Sequence, residues 1–222
     1  LKWSVIEDIE DMLKAKEMVV LKKTEKKKKG YVKIEGYDPA NNAGGKNSHE
    51  CGLILCEGLS AKTYAVAGIK KGIDGKSGRD YWGILPLRGK VLNCRNSAAT
   101  MIAKNAVITD LIQALGVKVD TDYTDEKNYK TLNYGKVILL TDADVDGLHI
   151  SGLLMNFFHS LYPSLLKREE PFILGMATPI VRVFNPKGDI LFYDENKFKE
   201  FQEKQTKSFK SKSVSYTHLT LP

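Results

Sequence analysis

Cysteine is scarce in this chain of 222 residues: Cys51, Cys56 and Cys94 are all there is, and no C-x-x-C pair occurs among them. An odd count without a secretory leader suits free thiols used for packing in a reducing compartment, not a disulfide framework. No apolar run approaches the roughly 20 residues that a membrane helix requires. The chain therefore reads as soluble and intracellular, with no membrane partner. It also lacks an initial methionine, and Leu1 reads as the start of an internal piece of something longer. Acid is short relative to base, 27 Asp and Glu against 34 Lys and Arg, for a formal charge of +7. The excess gathers at Lys22, Lys23 and Lys26 to Lys29, and again over residues 197–212. Such a balance favours a polyanionic partner, although lysine runs also occur simply as solvated linkers.

What is present is enough for a fold: 42% hydrophobic residues can build a normal core, with room for one domain and extensions. Residues 3–20 place Val5, Ile9, Met12, Leu13 and Lys16 at helical spacing, so residues 1–29 read as a basic helical connector. Residues 30–50, with "YDPANNAGGKNSHE", read as loop, and the compact domain is expected to begin after it. "CGLILCEG", "YWGILP" and "KVILLTD" are buried-strand patterns, and "FILGMATPIVRVF" is a fourth candidate. Helices are expected over 60–69 with Ser60 as a possible N-cap, over 96–115 ending at Gly116, and over 149–166. Strands alternating with helices imply a mostly parallel, three-layer α/β sheet. "VRVFNPKGDILFY" then reads as a hairpin turning at residues 185–188, followed by a helix capped by Asp194.

The stretch "LLTDADVDGLHISG" raises the chemical question. Asp142, Asp144 and Asp146 repel one another unless water or a cation offsets the charge. In open parallel sheets ligands sit beyond the carboxyl ends of the strands, where Glu57, Asp142 and Asp144 all fall, so the three can converge. Hard oxygen ligands of this kind suit Mg²⁺, which leaves positions for phosphate oxygens, and the substrate implied is a phosphodiester. A calcium EF-hand loop is rejected: its twelfth position needs Glu and here is Leu153, and "KVILL" precedes it where a helix is required. The plainer alternative is that these aspartates bond backbone in a turn and cap the helix beginning near His149; it stays open, most of all for Asp146. In "PLRGKVLN", Arg88 and Lys90 flank Gly89 after the second strand and could hold a nucleic-acid backbone, or form an ordinary charged loop. Lys62 could contact phosphate or pair with the acids.

Glu57-Gly58 with Ser60-Ala61-Lys62, then "PLRGKVLN", then "TDADVDGLHI" resembles the ordered signature of the TOPRIM domain of type IIA DNA topoisomerases, over about residues 30–210. "NNAGGKNSHECGLILCEG" and "YKTLNYGKVILLTD" resemble the eukaryotic and large-virus branch, while "DADVDG" is nearer the bacterial wording. The resemblance implies a Rossmann-like TOPRIM fold over 51–171, with a hairpin-and-helix extension over 172–212. It implies an ATP-dependent enzyme that cuts, passes and reseals double-stranded DNA, working as a homodimer, in the nucleus if eukaryotic or in the host cell or virion if viral. By motif, Glu57, Asp142 and Asp144 would hold Mg²⁺ with Asp146 in support, Arg88 and Lys90 would lie beside DNA, and His149 near the scissile phosphate. His149 also has a plain reading as a helix-start residue. Leu59 departs from the aspartate usual in E-G-D-S-A. The family's nucleophilic tyrosine and its ATP site are expected outside these residues, and 213–222 read as foreign sequence. Another TOPRIM enzyme, a primase or an overcoming-lysogenization-type nuclease, and a metal-free nucleic-acid-binding module are the alternatives.

Overall fold

The computed structural model describes residues 4–24, 34–73, 75–89, 91–95, 97–142, 144–176, 179–184, 188–204 and 211–213. Its centre is a parallel sheet of Gly52–Cys56 (β1), Trp82–Pro86 (β2), Lys136–Leu140 (β3) and Ile173–Gly175 (β4), in the order β2-β1-β3-β4. Strands covered on both faces carry no polar alternation, and every residue of β1 and β2 is buried. Alternate side chains feed two separate clusters. Leu53, Leu55, Leu85, Val137 and Leu139 belong to one and Ile54, Cys56, Ile84 and Leu140 to the other.

Helices cover both faces, as a three-layer α/β fold requires. Leu59–Ile69 (α2, following α1 at Ser4–Thr24) closes the smaller cluster through Ala61, Ala65 and Ile69. The larger cluster is closed by Ala106–Leu115 and Val145–Leu161, which bring Ile108, Leu111, Leu115, Leu154, Phe157 and Phe158. Gly78–Tyr81 (α3) leads into β2, Ala99–Lys104 (α4) precedes Ala106–Leu115 (α5), Glu126–Tyr129 (α6) precedes β3, and Val145–Leu161 is α7. Beyond β4, Val181–Val183 (β5) pairs antiparallel with Ile190–Phe192 (β6) and with Ser211–Ser213 (β7), around Glu195–Lys204 (α8). Among the described residues no helix is long and apolar enough to cross a membrane.

Several local expectations change. Residues 34–50 are not a detached loop: Ile34, Tyr37 and Ala40 join the main core, and Asp38 bridges to Ile84 at the β2 edge. Helix α1 docks through Met18 and Leu21, while Met12 and Leu13 of the expected apolar stripe are exposed. Ser60 lies inside α2, whose N-cap is Gly58. The helix expected over 96–115 is two, because Asn105 leaves helical geometry and its side chain accepts from the Ile108 N–H at 3.0 Å. Gly116 ends α5 in the left-handed region at φ 69°, as expected of a C-terminal glycine. The expected helix over 149–166 starts earlier, at Val145, and gives way to a 3₁₀ turn over Pro163–Lys167. "FILGMATPIVRVF" divides into β4 and β5, in different sheets. The hairpin is present and Asp194 accepts from the Asn196 and Lys197 N–H groups, though turn residues 185–187 lie outside the described residues. So do residues 25–33, with Lys26 to Lys29, and residues 214–222 of the tail read as foreign; Ser213 itself pairs with β5.

Candidate metal and nucleic-acid site

Strands β1 and β3 run in register, Cys56 opposite Leu140, so their carboxyl ends are level. The ladder continues one step further, the Glu57 N–H donating to the Leu140 carbonyl at 3.3 Å. That step places the Glu57 side chain beside the chain leaving β3, and its Oε2 accepts from the Asp142 N–H at 3.2 Å. Two residues 85 apart in sequence thus meet at one sheet edge.

Asp144 is the N-cap of α7, its Oδ1 accepting from the Gly147 N–H at 2.8 Å. The turn is tight because Gly147 packs on the backbone of Asp142: a Cβ there would lie 2.1 Å from the Asp142 carbonyl oxygen. Asp146 sits in the first turn of α7, and His149 is exposed further along the same helix. The local reading of Asp144 as a capping residue therefore holds, and it leaves the carboxylate close enough to act on Glu57. Burial pushes the Glu57 carboxyl above its ordinary value, and the charges of Asp142, Asp144 and Asp146 push the same way, against the bond from the Asp142 N–H. The charges of the three aspartates thus reach the Glu57 carboxyl.

Among the described residues, no three His, Cys, Asp or Glu side chains form a ready-made metal cage. The donor set still fits Mg²⁺, a hard cation that takes carboxylate oxygens and fills the rest of its shell with water and phosphate oxygens. Burial is the main reason the Glu57 carboxyl is raised, and the charges of Asp142, Asp144 and Asp146 that add to it are what a bound cation would offset.

The cations are placed differently from one another. Arg88 follows β2 and pairs with Glu35, the side chains being 49% and 80% exposed. Lys62 does not serve the acid group in this structure: its Nζ lies 2.8 Å from Asp38 Oδ2 and donates to the Gly36 carbonyl at 2.8 Å. Lys90 lies outside the described residues. Leu59, the first residue of α2, is 67% exposed. The sequence reading missed Glu35, Asp38 and Gly147. The first two stand in a stretch that looked like plain loop, with nothing in it to announce partners 53 and 24 positions on; the Asp-Gly pair at 146–147 was the available signal for the third.

Residues 52–173 match the family model for the Toprim domain. The chain is 43% identical over 236 residues to DNA topoisomerase 2 of Invertebrate iridescent virus 6, covering 97% of this chain and 21% of that protein. It is 44% identical over 214 residues to human DNA topoisomerase 2-alpha, covering 96% of this chain and 14% of the human one. The chain thus spans about a fifth or less of these relatives' length. Among solved structures it resembles the Plasmodium falciparum topoisomerase II DNA-binding, cleavage and re-ligation domain, with TM-score 0.73 and 34% identity over 86% of this chain and 25% of that one.

Proposed function

The chain belongs to the Toprim domain family, and from that membership we propose that it is the Mg²⁺-holding, DNA-engaging part of an ATP-dependent type II DNA topoisomerase. The observation that carries this reading is the meeting of Glu57 and Asp142 at the carboxyl edge of β1 and β3, with Asp144 and Asp146 acting on the same carboxyl.

Glu57, Asp142 and Asp144 would hold the ion, with Asp146 in support. When bound, Mg²⁺ supplies a Lewis-acid charge to the phosphodiester oxygens as a strand is cut and resealed. The protein's own part is to fix the carboxylates: the sheet sets Glu57 and Asp142, and the capping bond sets Asp144. Arg88 and Lys90 position the DNA backbone through phosphate contacts that carry no sequence information, and His149 stands near the scissile phosphate. Lys62 contributes indirectly, by holding residues 36–38 beside β2. The nucleophilic tyrosine and the ATP site come from outside residues 1–222. The complete protein acts on double-stranded DNA as a homodimer inside the cell or virion.

The test is Asp142→Asn in the complete enzyme. Plasmid cleavage should fall at least about tenfold, since losing a ligand costs no less than losing its supporting partners, while duplex binding stays near wild type and excess Mn²⁺ restores part of the cleavage. Equal loss of cleavage and binding, without rescue by metal, would make Asp142 a structural residue and defeat the proposal.

A further inference from the structure

Arg88 and Lys62, two cations that the sequence marks for phosphate, are both neutralised by one short segment. Glu35 pairs with Arg88, and Asp38 with Lys62. The two halves of this segment are not equally held. Asp38 is anchored: its N–H donates to the Ile84 carbonyl at 2.9 Å, its carbonyl accepts from the Ile84 N–H at 2.8 Å, and the Asp38 and Lys62 side chains are only 33% and 20% exposed. Gly36, at φ 78° and packed so that a Cβ would lie 3.1 Å from Pro86 Cγ, turns the chain between the anchor and Glu35. Glu35 is 80% exposed and Arg88 49%, so solvent and a phosphate can both reach the guanidinium from the Glu35 side.

We infer that Glu35 is a built-in counter-anion that occupies Arg88 in the absence of DNA and must yield it to a phosphate, so that this one acid lowers the affinity of the Arg88 contact. This rests on the reading of Arg88 as a DNA-backbone contact. The physical reason is that a carboxylate and a phosphate offer the guanidinium the same paired oxygen acceptors. Arg88 cannot satisfy both in full, and binding exchanges one ion pair for another. The carboxyl of Glu35 is held below the ordinary range by the hydrogen bond and charge of Arg88, as expected of an ion pair that is formed in the unbound protein. Asp110, on α5, adds a second negative charge toward Arg88 but is half-buried and lacks Glu35's open position. Because the pair is exposed, the effect is modest and fades with salt.

Two measurements on the 222-residue chain test this. In the first, fluorescence anisotropy with a labelled 20-base-pair duplex follows wild type, E35Q, R88Q and the double variant at low and moderate salt. E35Q should tighten binding about threefold at low salt, the size expected of an exposed ion pair. In the R88Q background the same change should have a clearly smaller effect, because no competed contact remains. In the second, the ¹³C resonance of the Glu35 carboxyl is titrated with pH, with and without duplex; on saturation its pKa should return to the ordinary carboxylate range. If R88Q weakens binding but E35Q does not tighten it, or the Glu35 carboxyl stays depressed in the complex, Glu35 orients Arg88 instead of competing for it and the inference fails alone. Equal tightening by E35Q with and without Arg88 overturns it as a general charge effect. If R88Q leaves wild-type affinity unchanged, the DNA reading of Arg88 fails as well.

Discussion

Cys51, Cys56 and Cys94 are all buried, and burial pushes their thiols up to about 11, 12 and 11. At pH 8 none should react with a thiol reagent in the native state, and all three should react on unfolding; fast labelling of the folded protein would contradict this packing. The sign of the linked stability follows. Between the ordinary thiol value of 9 and these raised values the native state keeps protons that the unfolded chain has lost, so stability falls as pH rises through that window. Tyr134, also pushed up to about 12, adds to the loss above its ordinary value of 10. Denaturant midpoints measured from pH 8 to 11 should decline accordingly. That these thiols are free packing residues was readable from their number and spacing. That Glu57 meets Asp142 was readable as well, because strand ends in a parallel sheet fall at one edge. The partners of Arg88 and Lys62 were not, since a loop without periodicity carries no sign of which side chains it delivers.

At the scale of elements, breaks and caps govern the details. Asn105 divides α4 from α5 and bonds the Ile108 N–H, so Asn105→Ala should cost about 1 kcal/mol in urea unfolding, the usual value of a lost N-cap. A cost near zero would mean that the break is imposed by packing alone. Gly147→Ala is the sharper test for the site. Alanine favours a helix interior, but its Cβ would meet the Asp142 carbonyl oxygen at 2.1 Å. The clash should win, costing about 1–3 kcal/mol as for other overpacked positions, and should weaken Mg²⁺ binding in calorimetry. Unchanged stability and metal binding would show that α7 can shift freely from β3. The apolar runs announced every strand of the main sheet, yet the joint at Asn105 was invisible because residues 96–115 are helix-compatible throughout.

For the whole molecule, the segment 34–50 joins the core through a polar centre. Tyr134 Oη lies 2.6 Å from Tyr37 Oη and accepts from the Ala40 N–H at 3.1 Å, in a space kept open by Gly83. Tyr134→Phe would leave the Ala40 N–H and the Tyr37 hydroxyl without this partner at a cost of about 1–3 kcal/mol. Amide exchange should then accelerate over residues 34–43 before the sheet is affected; uniform acceleration would mean that the segment has no separate opening. The net charge of +7 belongs to this scale too. Duplex binding should weaken steeply as salt rises, with the slope of log affinity reporting the phosphates neutralised.

By itself the sequence determined the strands, the three-layer α/β class, the carboxylate edge and the family resemblance. These follow from short-range rules: apolar runs make buried strands, and parallel strands align their ends. Only the tertiary structure decided that residues 34–50 are part of the body, that Lys62 is a brace for them, that Asp144 caps α7, and that Glu35 stands on Arg88. Each depends on which side chains meet across the fold, and such meetings are set by the packing of elements distant in sequence, which local pattern does not encode.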